Sequence, residues 1–250
     1  MEKKIRNQII FGKQPVKEAL SSGQELEKIF ISQNLKTTYF KDILPEVKIK
    51  EVPVQFVPTI KLEKLAGPNH QGVVAMISLV EHYSIQDILD HVFALGEVPL
   101  FVMLDGITDV RNIGAIARTA LGMNAHALII PNTHSATISG EAIKASAGAL
   151  NHLPVCRVKN LRIAAKDLKE NGFFLAGMDG NADQTIDKIP YEEPLCMVMG
   201  SEDQGIHNDL EKELNGVYKI VLNPKLESLN VSVATGMALY EIAKGRAEIN

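Results

Sequence analysis

From Pro99 onward the chain alternates between two kinds of segment. PLFVMLDG (99–106) is a continuous apolar run ending in Asp-Gly, the pattern of a strand buried on both faces. NIGAIARTALGM (112–123) is alanine-rich and helical in period. HALIIP, LPVCRV, FFLAGMDG, PLCMVMG and YKIVL (218–222) read as further strands. SGEAIKASAGAL, LRIAAKDLKENG, DLEKEL and the stretch from Val231 to Lys244 read as helices. Strands alternating with helices of this length predict an α/β domain on a parallel sheet. Ligands of such sheets bind beyond the carboxyl ends of the strands, so the residues that follow each strand are where function should be sought.

The first 78 residues form a unit of their own. FGKQPVKEALSSG predicts a helix stopped by Gly23, and TIKLEKLAG a second one ending at Gly67. KIFIS (28–32), EVPVQFV (51–57) and GVVAMIS (72–78), rich in Val, Ile and Phe, predict strands. Residues 79–97 read as a linker that includes an amphipathic helix, and 98–250 as the second domain. No internal repeat or low-complexity tract is present.

A chain of 250 residues is long enough for one large domain or two small ones. No window approaches 18 uncharged apolar residues, so no membrane span is expected. The opening MEKKIRNQII lacks the apolar stretch of a signal peptide. Cys156 and Cys196 lie far apart without C-x-x-C spacing, which fits a reduced, cytoplasmic protein and no metal site of the zinc type. The formal charge of -4 conceals an asymmetry. Residues 1–78 hold 12 Lys/Arg against 8 Asp/Glu, a net of +4, while the remainder is net -8. A basic module on an acidic body suits binding to a polyanion, although solvated lysines alone give the same count.

Three strand ends carry polar residues and glycines. ITDVRNIGAIAR follows FVMLDG and contains Asn112 and Arg118; SEDQGI follows LCMVMG, after Gly200, and contains Glu202 and Gly205; NPKLESLNVS follows KIVL and contains Ser228 and Asn230. GSEDQGI is neither G-x-G-x-x-G nor G-x-x-x-x-G-K-[ST], and neither fingerprint occurs elsewhere, which argues against a dinucleotide enzyme or an NTPase. Each residue also has an ordinary explanation. Ser228 or Asn230 can cap the last helix, and Asn112 the NIGAIAR helix. Arg118 can be a surface ion pair, Gly200 and Gly205 turn glycines, Glu202 a solvated acid, and His70 in GPNHQG a packed loop residue.

Taken in order, the three stretches resemble the motifs of the SpoU branch of the SPOUT RNA 2′-O-methyltransferases, the TrmH-like enzymes. The first match is DVRNIGAIAR with Asn112, Gly114 and Arg118; the second is MGSEDQGI with Gly200, Glu202 and Gly205. The third is IVLNPKLESLNVSVATGMALYE with Ser228, Leu229, Asn230 and Ser232. FGKQPVKEAL and GPNHQGVVA are similar to the substrate-binding module of RlmB-type 23S rRNA guanosine 2′-O-methyltransferases, which has an L30e-like fold. One departure is visible. The usual Ile-Pro-Met before the third motif is Ile220, Val221, Leu222, with the proline at Pro224.

The resemblance implies a catalytic domain with a C-terminal trefoil knot, a homodimer, S-adenosylmethionine as methyl donor and RNA, 23S rRNA above all, as partner. In that frame Gly200, Gly205, Leu229 and the backbone of Ile220 and Leu222 hold the donor. Arg118, Asn112, Glu202, Ser228 and Asn230 serve the reaction, and Val231, Val233 and Met237 pack inside the domain. The family's assignment of Arg118 as base for the 2′-hydroxyl is physically awkward, because a guanidinium stays charged at any ordinary pH. Holding a phosphate and stabilising the developing alkoxide suits it better. A tRNA ribose methyltransferase shares this chemistry, and a non-catalytic rRNA-binding protein could share the fold; the retained polar residues argue against the second.

Overall fold

The structure is a computed structural model that describes residues 9–35, 41 and 44–247. It separates into two units, Met1–Glu81 and His82–Asn250. In the first, strands β1 (Ile9–Phe11), β2 (Leu26–Ser32), β3 (Val54–Val57) and β4 (Val73–Ile77) take the order β1-β4-β2-β3. β4 is antiparallel to β1 and β2, and β3 is parallel to β2. Helices α1 (Lys13–Ser21), α2 (Leu44–Ile49) and α3 (Thr59–Ala66) complete the unit. Alternation along β2 sends successive side chains to opposite sides. Ile29 and Ile31 pack with Val16 and Leu20 of α1, whereas Phe30 packs with Leu62 of α3. β1 and α2 are absent from the sequence reading because three and six residues are too few to display a period. Lys3, Lys4, Arg6 and Lys36, part of the basic excess, lie outside the described residues.

The second unit is built on strands β5 (Leu100–Leu104), β6 (Ala127–Pro131), β7 (Val155–Val158), β8 (Phe174–Met178), β9 (Gln184–Thr185), β10 (Leu195–Met199) and β11 (Gly216–Lys219). Their order is β7-β6-β5-β10-β8-β11-β9, and every pairing is parallel. Helices α4 (Ile85–Ala94), α5 (Val110–Gly122), α6 (Gly140–Ala145), α7 (Leu161–Glu170), α8 (Asn208–Glu211) and α9 (Val231–Ala247) flank the sheet. Phe101, Met103, Cys196 and Val198 pack on one face against Leu89 and Val92 of α4 and Leu161, Ala165 and Leu168 of α7. Val102 and Leu104, pointing the other way, are equally buried. α5 packs with α6 and α9. The contact with α6 is close: a Cβ on Gly114 would lie 2.6 Å from the Ala145 Cβ and 2.7 Å from the Ala142 carbonyl oxygen. That glycine serves helix crossing.

Three sequence expectations change here. The linker read over 79–97 is not a spacer, because the chain divides after Glu81 and α4 supplies core to the second unit. The strand read over 218–222 runs from Gly216 to Lys219, leaving Ile220 and Leu222 beyond its end. Val231 is buried, but Val233 and Met237 are 51% and 41% exposed, as is Tyr240 at 58%. Those three residues recur at helical spacing and make one apolar stripe along α9. The far end of α9 is fixed by Arg246, whose guanidinium donates to the carbonyls of Val98, Pro99, Tyr191 and Glu193. Burial lowers its pKa to about 10. Both cysteines sit in the core, where desolvation pushes the Cys156 thiol up to about 12 and raises that of Cys196, so neither is a ready nucleophile. No helix among the described residues is long and apolar enough to cross a membrane.

Candidate active site

β8, β10 and β11 are parallel neighbours, so their carboxyl ends lie together, and a cleft of about 400 Å³ opens there. Residues 178–181 at the end of β8, 199–205 at the end of β10, 219, 220 and 222 at the end of β11, and 227–229, 231 and 234 at the entrance of α9 line it. The 200–205 loop is pinched at its neck. A Cβ on Gly200 would fall 2.1 Å from the Gly205 carbonyl carbon and 2.3 Å from the Ile206 nitrogen, so only glycine fits. Beyond the neck, Ser201 and Gly205 exchange two backbone hydrogen bonds, at 2.9 and 3.1 Å, and Gly205 takes φ +66°. A main chain this bare can lie directly against a ligand. The residues expected to hold the donor, Gly200, Gly205, Ile220, Leu222 and Leu229, all line this cleft, as do Glu202 and Ser228.

Glu202 joins all three motifs. Its Oε1 accepts from Asn230 Nδ2 at 2.8 Å, from the Val231 backbone N–H at 3.1 Å and from Asn112 Nδ2 at 3.5 Å. Asn230 Nδ2 also donates to Asn112 Oδ1 at 3.1 Å. A carboxylate facing the first turn of α9 meets unpaired N–H groups and the positive end of the helix dipole. Asn230 caps the same helix, since its Oδ1 accepts from the Ser232 N–H at 3.0 Å. Capping and site building therefore coincide at one residue. Asn112 does not cap α5. Asp109 does, accepting from the Arg111 N–H at 2.8 Å. Glu202 is no free loop acid. His70, in the first unit, is packed: it is buried, and its Nδ1 accepts from the Gly72 N–H at 2.8 Å.

Arg118 is not brought to this cleft. It lies six residues past Asn112, about 9 Å farther along α5. It is exposed, lines no part of the cleft, and has no hydrogen bond or ion pair among the described residues. The turn of α5 that carries it borders α9, because a Cβ on Gly236 would lie 3.5 Å from Cγ2 of the adjacent Thr119. Gly236 sits between Val233 and Met237 on the exposed stripe.

Sequence reasoning passed over the loop after β8, although its Asp179-Gly180 repeats the Asp-Gly that closes β5 and was the available signal. With Asp179, Asp203 and Glu227 beside Glu202, and Lys219 as the basic residue in the lining, the cleft is acidic. Among the described residues no group of three His, Cys, Asp or Glu could hold a metal ion.

The model of the SpoU rRNA Methylase family matches residues 99–240, and that of the RNA 2′-O ribose methyltransferase substrate binding domain matches residues 9–83. A Bacillus subtilis relative, provisionally named a TrmH family tRNA/rRNA methyltransferase, YacO, is 32% identical over 237 residues, covering 95% of each chain. The SpoU methyltransferase AviRb from Streptomyces viridochromogenes, solved with AdoMet, superposes with a TM-score of 0.62 at 22% identity, over 96% of this chain and 90% of that one. The A. aeolicus TrmH/SpoU tRNA modifying enzyme has a TM-score of 0.56 at 23% identity and covers 65% of this chain and 86% of its own. A chain matched in this way over both of its units belongs to the SpoU, or TrmH, family of RNA 2′-O-ribose methyltransferases.

Proposed function

We propose that this protein methylates a ribose 2′-hydroxyl of a guanosine in 23S rRNA in the cytoplasm, using S-adenosylmethionine, and that it acts as a homodimer. The observation that carries the reading is the junction at Glu202, which ties Asn112, the 200–205 loop and Asn230 together at the edge of a glycine-necked cleft. The backbone at Gly200, Gly205, Ile220 and Leu222, with Leu229, would hold the donor, and the acidic lining suits a cation. When bound, the donor supplies an electrophilic methyl group on a sulfonium. Ser228 and Asn230, at the mouth, orient the ribose, while Asn112 and Glu202 keep Asn230 in place.

Arg118 requires a second copy. It is exposed, lies outside its own cleft and sits on α5, the helix packed beside α9, whose exposed stripe is Val233, Met237 and Tyr240. Pairing two stripes would cover that apolar surface and bring Arg118 of each copy toward the other's cleft. There its guanidinium holds a phosphate of the target RNA bidentately and stabilises charge developing on the 2′-oxygen. The contact of the 200–205 loop with the first turn of α9 is what a knotted C-terminal segment would give. Ribosomal RNA is favoured over tRNA by the first unit, since the A. aeolicus tRNA enzyme covers only 65% of this chain. Mapping 2′-O-methyl groups in rRNA and tRNA from cells lacking the gene tests the assignment. Loss of one rRNA guanosine methylation is expected; loss confined to tRNA would move the substrate, and no loss in either would contradict the activity.

A further inference from the structure

The 200–205 loop enters and leaves through its neck, and a carboxylate outside the three motifs closes that neck. Asp105 follows directly on β5 and is 7% exposed. Its backbone N–H donates to the Met199 carbonyl at 2.8 Å, on the incoming leg. Its Oδ2 accepts from the backbone N–H of His207 at 2.8 Å, on the outgoing leg, and meets Nδ1 of the same residue at 2.8 Å. One residue of a neighbouring strand thus grips both legs, across the point where Gly200 and Gly205 touch. Gly106 lies beside the same neck, where a Cβ would be 3.4 Å from Ser201 Cβ and 3.7 Å from His207 Cε1.

A cap for the short α8 would need only the backbone bond. The imidazole adds a second donor to the same oxygen, because a carboxylate can only accept. Two donors on one oxygen fix the carboxylate's rotamer and hold the His207 ring, 56% exposed, across Gly106. The Ser201–Gly205 bonds and the contacts of Glu202 hold the loop beyond its neck, but the neck itself has no side chain to fix its entry angle, and whatever fraction of molecules holds the wrong angle weakens ligand binding in proportion. We propose that Asp105 and His207 are positioning residues for the methyl donor, clamping the loop that receives it. The inference rests on the assignment of this loop to the donor made above.

The test uses the full-length protein, with kcat and the KM for S-adenosylmethionine on an rRNA fragment, and calorimetric binding of S-adenosylhomocysteine. H207A removes the ring bond and leaves the backbone bond. It should raise the donor KM and the Kd by about five- to tenfold, the scale of one partly exposed charge-assisted hydrogen bond, with kcat and the RNA KM unchanged. H207N should behave as wild type, because its Nδ2 falls where Nδ1 lies. If H207A lowers the melting temperature and leaves the donor KM alone, the pair is only a structural cap and the proposal fails. A fall in kcat at unchanged KM would also overturn it, by placing His207 in the chemistry. Wild-type protein that binds neither compound would instead overturn the function proposed above, and this inference with it.

Discussion

Asn112 and Arg118 stand on the same helix, and the fold treats them in opposite ways. Asn112, at the sheet end of α5, bonds to Glu202 and Asn230 from two distant loops. Arg118 faces solvent with no partner among the described residues. The first is fixed before any ligand arrives. The second is a long, exposed cation on a helix that packs beside α9. On the function proposed above, the contrast divides the site: donor cleft and ribose end are assembled within one chain, while the cation for the RNA is presented outward. A helix can serve both, because six residues turn a side chain far round the axis and carry it past the reach of the first.

The largest effect should come from the preassembled half. G200V places a branched side chain where even a Cβ lies 2.1 Å from the opposite backbone. Calorimetry should then detect no S-adenosylmethionine binding, and retained affinity would mean that the cleft is not the donor site. The outward half should break differently. R118A should lower single-turnover methylation about 10²- to 10³-fold, the usual cost of one contact to developing negative charge, with donor affinity and melting temperature unchanged. R118K should restore little, since an ammonium lacks the guanidinium fork. Near-normal turnover in R118A would remove Arg118 from the account. The smallest effect should be at the junction. E202Q keeps an acceptor for Asn230 and Val231 but loses the charge at the start of α9, costing about 1 kcal/mol of stability, read as a modest drop in melting temperature. An unchanged melting curve would show that the charge is dispensable there.

Much of this was legible in the sequence, for identifiable reasons. Strands β5, β6, β8 and β10 are fully apolar runs closed by polar or glycine turns, so their period and limits could be read directly. The site loops were legible because parallel strands put their carboxyl ends side by side, which lets three remote segments be considered together. What stayed hidden depended on partners distant in sequence. Asp105 and His207 are 102 residues apart, and no local pattern joins them. Ile220 and Leu222 continue a strand-like run, yet β11 stops at Lys219, where its pairing with Thr185 of the two-residue β9 also ends. Val233 and Met237 look like core because α9 is apolar on every side, and sequence alone does not say which side another surface covers.

The measurement that bears most directly on a site divided between copies is complementation between two defective chains. G200V lacks a donor cleft and R118A lacks the cation, so neither homodimer should turn over appreciably. Co-expressed in equal amounts, they should form mixed dimers in which the intact cleft of the R118A chain faces the Arg118 of the G200V chain. Turnover should recover to about a quarter of the wild-type value, from one complete site on about half of the dimers. Mixed dimers isolated by two affinity tags that show no activity above either parent would contradict it, and would return Arg118 to the cleft of its own chain.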